Sequence, residues 1–244
     1  MACFVCSEPI ANRLLERRQV DVSHGLRAGK RIDYDGLLVD IFCGTCESRV
    51  RLRALAQILA QAQSFIDPSQ EVLLVAASGS ERKVVERYWR KLCHVSLLAD
   101  WNDPKCLTNV DITSMPDGWT NRFGAAIALC VLDYVPDAAR AVAEIGRTLR
   151  PGGTFLYWIQ PYRIQESLGE ATVVLKREGY RDPPSAYVNR KEEQKDYLIS
   201  DCRFGSAAMV KWACNAALES SEIRILDHLG DLTTTFYVVR KPGT

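Results

Sequence analysis

The sequence predicts an α/β fold: a doubly wound, mostly parallel seven-stranded sheet behind a small N-terminal module. Three observations predict it. Short apolar runs alternate with helix-period segments from Glu71 to Ile159, the pattern of a parallel sheet covered on both faces. One strand-to-helix junction, VLLVAASGSERKVV at 72–85, passes through four small residues, Ala76-Ala77-Ser78-Gly79, as a ligand-holding turn at a strand's carboxyl end does. Ahead of these elements stand two Cys-x-x-Cys pairs, Cys3/Cys6 and Cys43/Cys46.

Each Cys-x-x-Cys pair sets two sulfurs on one tight knuckle. Two knuckles supply four thiolates, the closed tetrahedral set of a structural zinc with no position left for water. Residues 7–42 between them hold Gly25, Gly29 and Gly36 and alternate as IDYDGLLVDIF, which predicts a β-hairpin leading into the second knuckle. Residues 1–48 are therefore expected to form a zinc-ribbon-like module; four unpaired thiols, or one redox pair, is the alternative. The other five cysteines (Cys93, Cys106, Cys130, Cys202, Cys214) lie in apolar or helical surroundings and are expected in or near the core. Leu52, Leu55, Ile58 and Leu59 then recur at helical spacing up to Asp67-Pro68. Arg49, Arg51 and Arg53 near the start of this helix read as a solvated face, with contact to a phosphate or carboxylate as the alternative.

The alternating region follows in order. A strand is expected at 72–76, a helix at 81–92, a second strand at 95–99 ending in Asp100, and a short extended segment at 110–112. Next come a buried strand at 123–129, a helix at 137–149 closed by Arg150-Pro151-Gly152-Gly153, and a strand at 154–159. Residues 161–205 read as a polar, helix-prone insert with a charge run at 190–196. A helix at 206–218 and strands at 223–226 and 234–239 complete residues 49–244 as one domain.

Bulk properties narrow the function. The formal net charge is +1, which argues against a nucleic-acid partner. No run of about 18 apolar residues is present, so no membrane partner is expected. The N-terminal MACFVCSEPIANRLLERR has no apolar stretch of signal-peptide type, and a cytoplasmic location is expected. No feature of the sequence sets an oligomeric state. His24, His94 and His228 are scattered and read as structural.

Motif by motif, the alternating region resembles the class I S-adenosylmethionine-dependent methyltransferases. VDITSMP at 110–116 resembles their adenine-side segment, and ALCVLDYVPD at 128–137 their fourth strand and following loop. RTLRPGGTFLY at 147–157 is similar to their R-x-L-x-P-G-G turn into the fifth strand. A zinc knuckle and Arg-rich helix ahead of the fold look like a subgroup of these enzymes. The resemblance implies that Ala76, Ala77, Ser78 and Gly79 hold the amino acid part of S-adenosylmethionine. It implies that Asp100 accepts hydrogen bonds from the ribose, that Trp101 lies against the adenine, and that Asp111 and Ile112 meet the adenine amino group. Leu129 and Cys130 would flank the cofactor. Turn-capping for Asp100 and Asp111, and a core place for Trp101, are the alternatives. The sequence departs from the family where Leu74 stands at an often acidic position and where the loop has one glycine instead of three.

Methyl transfer needs mainly alignment of acceptor and sulfonium, so a general base is optional. Tyr134, Gln160 and Tyr162, with Asp133, are candidate catalytic residues by position near strand ends. Tyr134, Tyr157, Trp158, Tyr162, Tyr180 and Tyr187 form either an aromatic wall that attracts a cation or ordinary core. The leading expectation is a methyltransferase for a small-molecule, secondary-metabolite-type acceptor. An alternative keeps S-adenosylmethionine but cleaves its carbon chain, cyclising the 3-amino-3-carboxypropyl group to azetidine-2-carboxylate with release of methylthioadenosine. A third reading is a non-catalytic interaction platform.

Overall fold

The computed structural model describes residues 3–7, 15–19, 39–43, 45–46, 48–61, 67–97, 104–159, 166–176, 200–227 and 232–243. Seven strands form one sheet in the order β10-β11-β7-β6-β3-β4-β5. They are β3 (Glu71–Val75), β4 (Lys91–Val95), β5 (Cys106–Leu107), β6 (Phe123–Leu129), β7 (Leu149–Trp158), β10 (Glu219–Asp227) and β11 (Leu232–Arg240). β3 to β7 run parallel, and β11 is antiparallel to both β7 and β10. The predicted doubly wound, seven-stranded, mostly parallel sheet is therefore the observed one.

Side-chain alternation along the strands builds two cores. Leu73, Val75, Ala126, Ala128, Phe155 and Tyr157 face one side, where α3 (Ala138–Thr148) and α4 (Ser206–Asn215) cover them. Val72, Leu74, Ala125, Ile127, Leu129, Leu156 and Trp158 face the other, beneath α1 (Val50–Gln61) and α2 (Gly79–Val85). Strands buried on both faces need apolar residues at every buried position, which is why β6 and, after Glu71, β3 read as apolar runs. The predicted Phe123–Leu129 strand is met to the residue. Asp137 caps α3 by accepting the Arg140 N–H at 2.9 Å.

Several predicted boundaries are corrected. The second strand is Lys91–Val95, not 95–99, because its register with β3 pairs Glu71 with Lys91 and Val75 with Val95. The helix before it stops early: Arg87 and Tyr88 donate back three residues to Val84 and Val85, tightening the last turn so that Trp89 is buried. The strand paired beside β4 is Cys106–Leu107, and the short extended segment expected at 110–112 is not part of the sheet. The Arg150-Pro151-Gly152-Gly153 segment does not close the helix; it is the first part of β7. Gly152 takes φ +75°, and its N–H reaches the Lys241 carbonyl at 2.9 Å.

Before the sheet domain, β1 (Leu15–Gln19) pairs antiparallel with β2 (Val39–Cys43), which runs into the second knuckle as predicted. Residues 20–38 lie outside the described residues. At its described ends the insert holds one short 3-10 turn, Glu166–Leu168, and then strands rather than an α-helix: β8 (Thr172–Lys176) pairs antiparallel with β9 (Ser200–Phe204). The charge run at 190–196 lies outside the described residues. Cys93 and Cys202 are buried and Cys106 and Cys130 half-buried, but Cys214 is exposed on α4, against expectation. His94 is buried inside β4; His24 and His228 lie outside the described residues. No helix among the described residues is long and apolar enough to cross a membrane.

Candidate functional site

The register aligns the carboxyl ends of the central strands. Val75 lies beside Val95 and Ala128, and Leu129 beside Trp158. Ala76, Ser96, Cys130 and Ile159 therefore leave the sheet along one edge. β3 is the point where the winding reverses, with β4 and β5 on one side and β6 and β7 on the other. Open α/β sheets bind ligands at such a switch point.

Two residues that leave the sheet on either side of this crevice share an uncommon backbone. Ala76 has φ +45° and Cys130 φ +55°, the left-handed region that costs an L-residue about 1–2 kcal/mol. Each is held by a sheet-edge bond: Ala76 N–H to the Val95 carbonyl at 2.7 Å, and Cys130 N–H to the Trp158 carbonyl at 2.9 Å. Strain of this kind collects where backbone is aimed at a ligand. The position that glycine would suit is thus Ala76, not Gly79, which lies in the first turn of α2 with open space where a Cβ would stand. Ala76→Gly is expected to raise unfolding free energy by about 0.5 kcal/mol, the relieved strain being partly offset by unfolded-state entropy. Urea denaturation measures it, and a destabilised variant would show that the turn carries no strain.

The predicted cofactor loop is well defined. Ala77 and Ser78 are buried. Ser78 caps α2, its Oγ accepting the Glu81 N–H at 3.2 Å, while Glu81 Oε2 accepts the Ser78 N–H at 2.7 Å. That reciprocal pair is a capping box, and Ser-x-x-Glu is its sequence signature. Leu129 is buried and Cys130 half-buried at the neighbouring strand end. On the far side, Ile112 is buried and Asp111 exposed, its Oδ1 accepting the Thr113 N–H and hydroxyl, each at 2.8 Å. Asp100 and Trp101 lie outside the described residues.

Of the candidate catalytic residues, Tyr134 is half-buried in the turn after Cys130, and the neighbouring Asp133 is fully buried. Gln160 and Tyr162 lie outside the described residues, as do Tyr180 and Tyr187. The aromatic-wall reading fails for Tyr157. It stacks between Phe155 and Tyr237 at 4.9 and 5.4 Å within the α3/α4 core, and burial pushes its phenol well above the ordinary range. Trp158 faces the opposite side, so the two-residue period of a strand keeps the pair out of any common wall.

Of the three arginines, Arg49 is exposed, as a solvated face requires, but Arg51 and Arg53 are not. Arg53 is fully buried and donates through Nη1 to the Ser48 carbonyl. Arg51 pairs with Glu81 at 3.3 Å, their side chains only 13% and 7% exposed. Its guanidinium lies 5.7 Å from the Trp158 ring centre, and Trp158 in turn donates to Thr234 at 2.7 Å. The composition of the helix start suggested solvent; Arg51 instead meets Glu81 of α2 and Arg53 the Ser48 carbonyl, contacts that the helical spacing of Leu52, Leu55 and Ile58 does not reveal. The capping-box pattern Ser78-x-x-Glu81 was the available signal for half of this network.

At the N-terminus, Cys3, Cys6, Cys43 and Cys46 converge, all four sulfurs within 4.8 Å of one another. Cys3 to Cys46 is 3.9 Å and Cys6 to Cys43 is 3.8 Å. Four sulfurs about 2.3 Å from one ion stand about 3.8 Å apart at tetrahedral angles, so the cluster fits a metal ion. Ser48 Oγ lies 3.6 Å from the Cys3 sulfur and 3.1 Å from that of Cys46, and the Val5 N–H donates to Cys3 at 3.4 Å. Burial raises both thiols. Backbone hydrogen bonds from Cys6 and Val5, and the Ser48 hydroxyl, outweigh it at Cys3, which falls to about 6, whereas Cys46 is pushed up to about 12.

A seven-stranded sheet with this strand order, one antiparallel strand and a switch-point crevice is the class I methyltransferase fold. The family model described as "Methyltransferase domain" matches residues 39–157. Among solved structures, the chain is similar to the YcgJ protein of Bacillus subtilis, with 11% identity and a TM-score of 0.52 over 78% of this chain and 99% of that one. It is also similar to an amino pentose methyltransferase, CalS10 of Micromonospora echinaspora, solved with S-adenosylmethionine bound and involved in calicheamicin biosynthesis. That match has 15% identity and a TM-score of 0.50 over 76% of this chain and 89% of that one. No curated protein matches the sequence.

Proposed function

We propose that the chain is an S-adenosylmethionine-dependent methyltransferase acting on a small-molecule acceptor. The observation that carries this is the switch-point crevice: Ala76 and Cys130, both left-handed, flank it within a sheet of methyltransferase order. The residues fit the cofactor. Ala76, Ala77, Ser78 and Gly79 keep side-chain bulk away from the β3 end, with open space at Gly79. Leu129 and Cys130 border the same crevice, and Ile112 with Asp111 stand beyond β4 and β5. Bound there, S-adenosylmethionine supplies an electrophilic methyl on a sulfonium. The chain's own task is to orient the cofactor, exclude water and align an acceptor. Tyr134 and Asp133 stand at the β6 end, where an acceptor proton would be handled.

The Cys3, Cys6, Cys43 and Cys46 quartet is proposed to hold a structural zinc, because four sulfurs close the tetrahedron. Thiolates persist as metal ligands in a reducing compartment, which supports a cytoplasmic location. The near-zero net charge supports a small-molecule rather than a nucleic-acid substrate.

The test is incubation with S-adenosylmethionine alone, followed by calorimetry and mass spectrometry of small molecules. Saturable binding with an intact cofactor is expected, and S-adenosylhomocysteine should appear once an acceptor is supplied. Methylthioadenosine accumulating above spontaneous decay would overturn methyl transfer in favour of cleavage of the carbon chain. Absence of binding would leave the interaction-platform reading.

A further inference from the structure

The metal cluster and the cofactor loop are joined by a continuous set of bonds. The second knuckle runs into α1 through Ser48. The Ser48 hydroxyl touches the Cys3 and Cys46 sulfurs. Its carbonyl accepts both the Cys43 N–H at 3.1 Å and the buried Arg53 guanidinium. The next link is in the first turn of α1, where Arg51 reaches Glu81 Oε1. Glu81 spends its other oxygen on the Ser78 N–H, inside the loop at residues 76–79. The first knuckle docks on the other end of the same short helix segment: Arg87 Nη1 donates to the Phe4 carbonyl at 3.5 Å, and Val5 packs on the α1/α2 core. Tyr88 donates to the Ala56 carbonyl of α1 at 3.3 Å. Knuckle, α2, Glu81, Arg51, α1 and second knuckle therefore form a closed ring, and the four sulfurs are its clasp.

We propose that Arg51 is a positioning residue for the cofactor loop, and that the metal held by Cys3, Cys6, Cys43 and Cys46 sets cofactor affinity by holding Arg51 against Glu81. This rests on the metal-binding and cofactor-binding readings above and goes beyond them: the cysteine cluster tunes the site as well as stabilising a module. Without the metal the two knuckles separate, the start of α1 loses Ser48 as an anchor, and Glu81 loses the cation that orients its carboxylate. The Ser78 turn then samples other conformations, and the cofactor binds only the fraction that is in place.

The experiment uses the full chain loaded with zinc and S-adenosylhomocysteine as the calorimetric probe. Metal removal by a chelator is expected to weaken binding about tenfold, an ordinary coupling between linked sites. Arg51→Gln is expected to weaken it by a similar factor with metal content unchanged, and Arg51→Lys to recover part of the loss. Chelation of Arg51→Gln should add no further loss, because the link is already cut. An equal further loss on chelation, or wild-type affinity in Arg51→Gln, overturns the proposal. If chelation unfolds the chain, Glu81→Gln replaces it. This variant retains all four cysteines, and wild-type affinity there is equally fatal. If the zinc-loaded protein binds no S-adenosylhomocysteine, the cofactor reading fails on its own. The coupling is then read by hydrogen exchange, in which the amides of residues 76–79 should exchange faster after chelation and in Arg51→Gln; unchanged exchange in both overturns it.

Discussion

Replacing Glu81 by alanine is expected to destabilise the fold by about 3–5 kcal/mol, the range for removing one partner of a buried ion pair. The side chain is 7% exposed and serves two donors, the Arg51 guanidinium and the Ser78 N–H. Alanine takes the acceptor from the Ser78 N–H, removes the Glu81 carboxylate from Arg51, and deletes half of the capping box. A drop in thermal midpoint of about 10 °C follows for a chain of this size. Glu81→Gln retains an oxygen for Ser78 while removing the charge, so its cost should fall near half. The pair of variants separates the charge from the cap in one urea series. A loss below about 1 kcal/mol in Glu81→Ala would mean that the Arg51 pair behaves as a surface salt bridge.

Cys43→Ser is expected to release the metal and unfold the N-terminal module while the sheet domain stays folded. Apparent binding free energies of structural zinc are about 10 kcal/mol or more, as large as the whole stability of many domains. The module has little else to hold it. Its regular structure among the described residues is the single pair β1 and β2, and an isolated two-stranded ribbon is marginal in water. The sheet domain, by contrast, has two cores of its own on opposite faces. Metal analysis should show less than a tenth of an equivalent in Cys43→Ser. Limited proteolysis should cut within the first 48 residues and spare the rest. Retained stoichiometric metal would show that the cluster does not depend on its fourth sulfur, and simultaneous loss of the whole fold would show that module and sheet are one cooperative unit.

The sheet was legible because its strands are buried on both faces. FGAAIAL at 123–129 and VLLV at 72–75 carry no polar side chain, so their composition announces them. Asp137 and the apolar period behind it likewise announce α3. The edge of the sheet was less legible. Lys91-Leu92-Cys93-His94-Val95 contains two polar residues, and the apolar Val95–Ala99 run beside it competes for the same assignment. Only the register with β3 decides between them, and register is a property of the pair.

For the candidate site, the sequence by itself determined the four-cysteine cluster and the small-residue loop. Cys-x-x-Cys spacing and a strand–turn–helix junction are local features whose geometry follows from a few adjacent residues. Tertiary structure alone decided which strand ends share an edge, that Ala76 and Cys130 adopt the left-handed backbone, and that Tyr157 and Trp158 face opposite cores. It also decided that Arg53 is buried and Arg51 half-buried. Residues 51 and 81 are 30 positions apart, and nothing in either helix alone tells that one supplies the counter-charge of the other. That knowledge resides in the packing of α1 on α2, where the buried Glu81 carboxylate meets the half-buried Arg51 guanidinium.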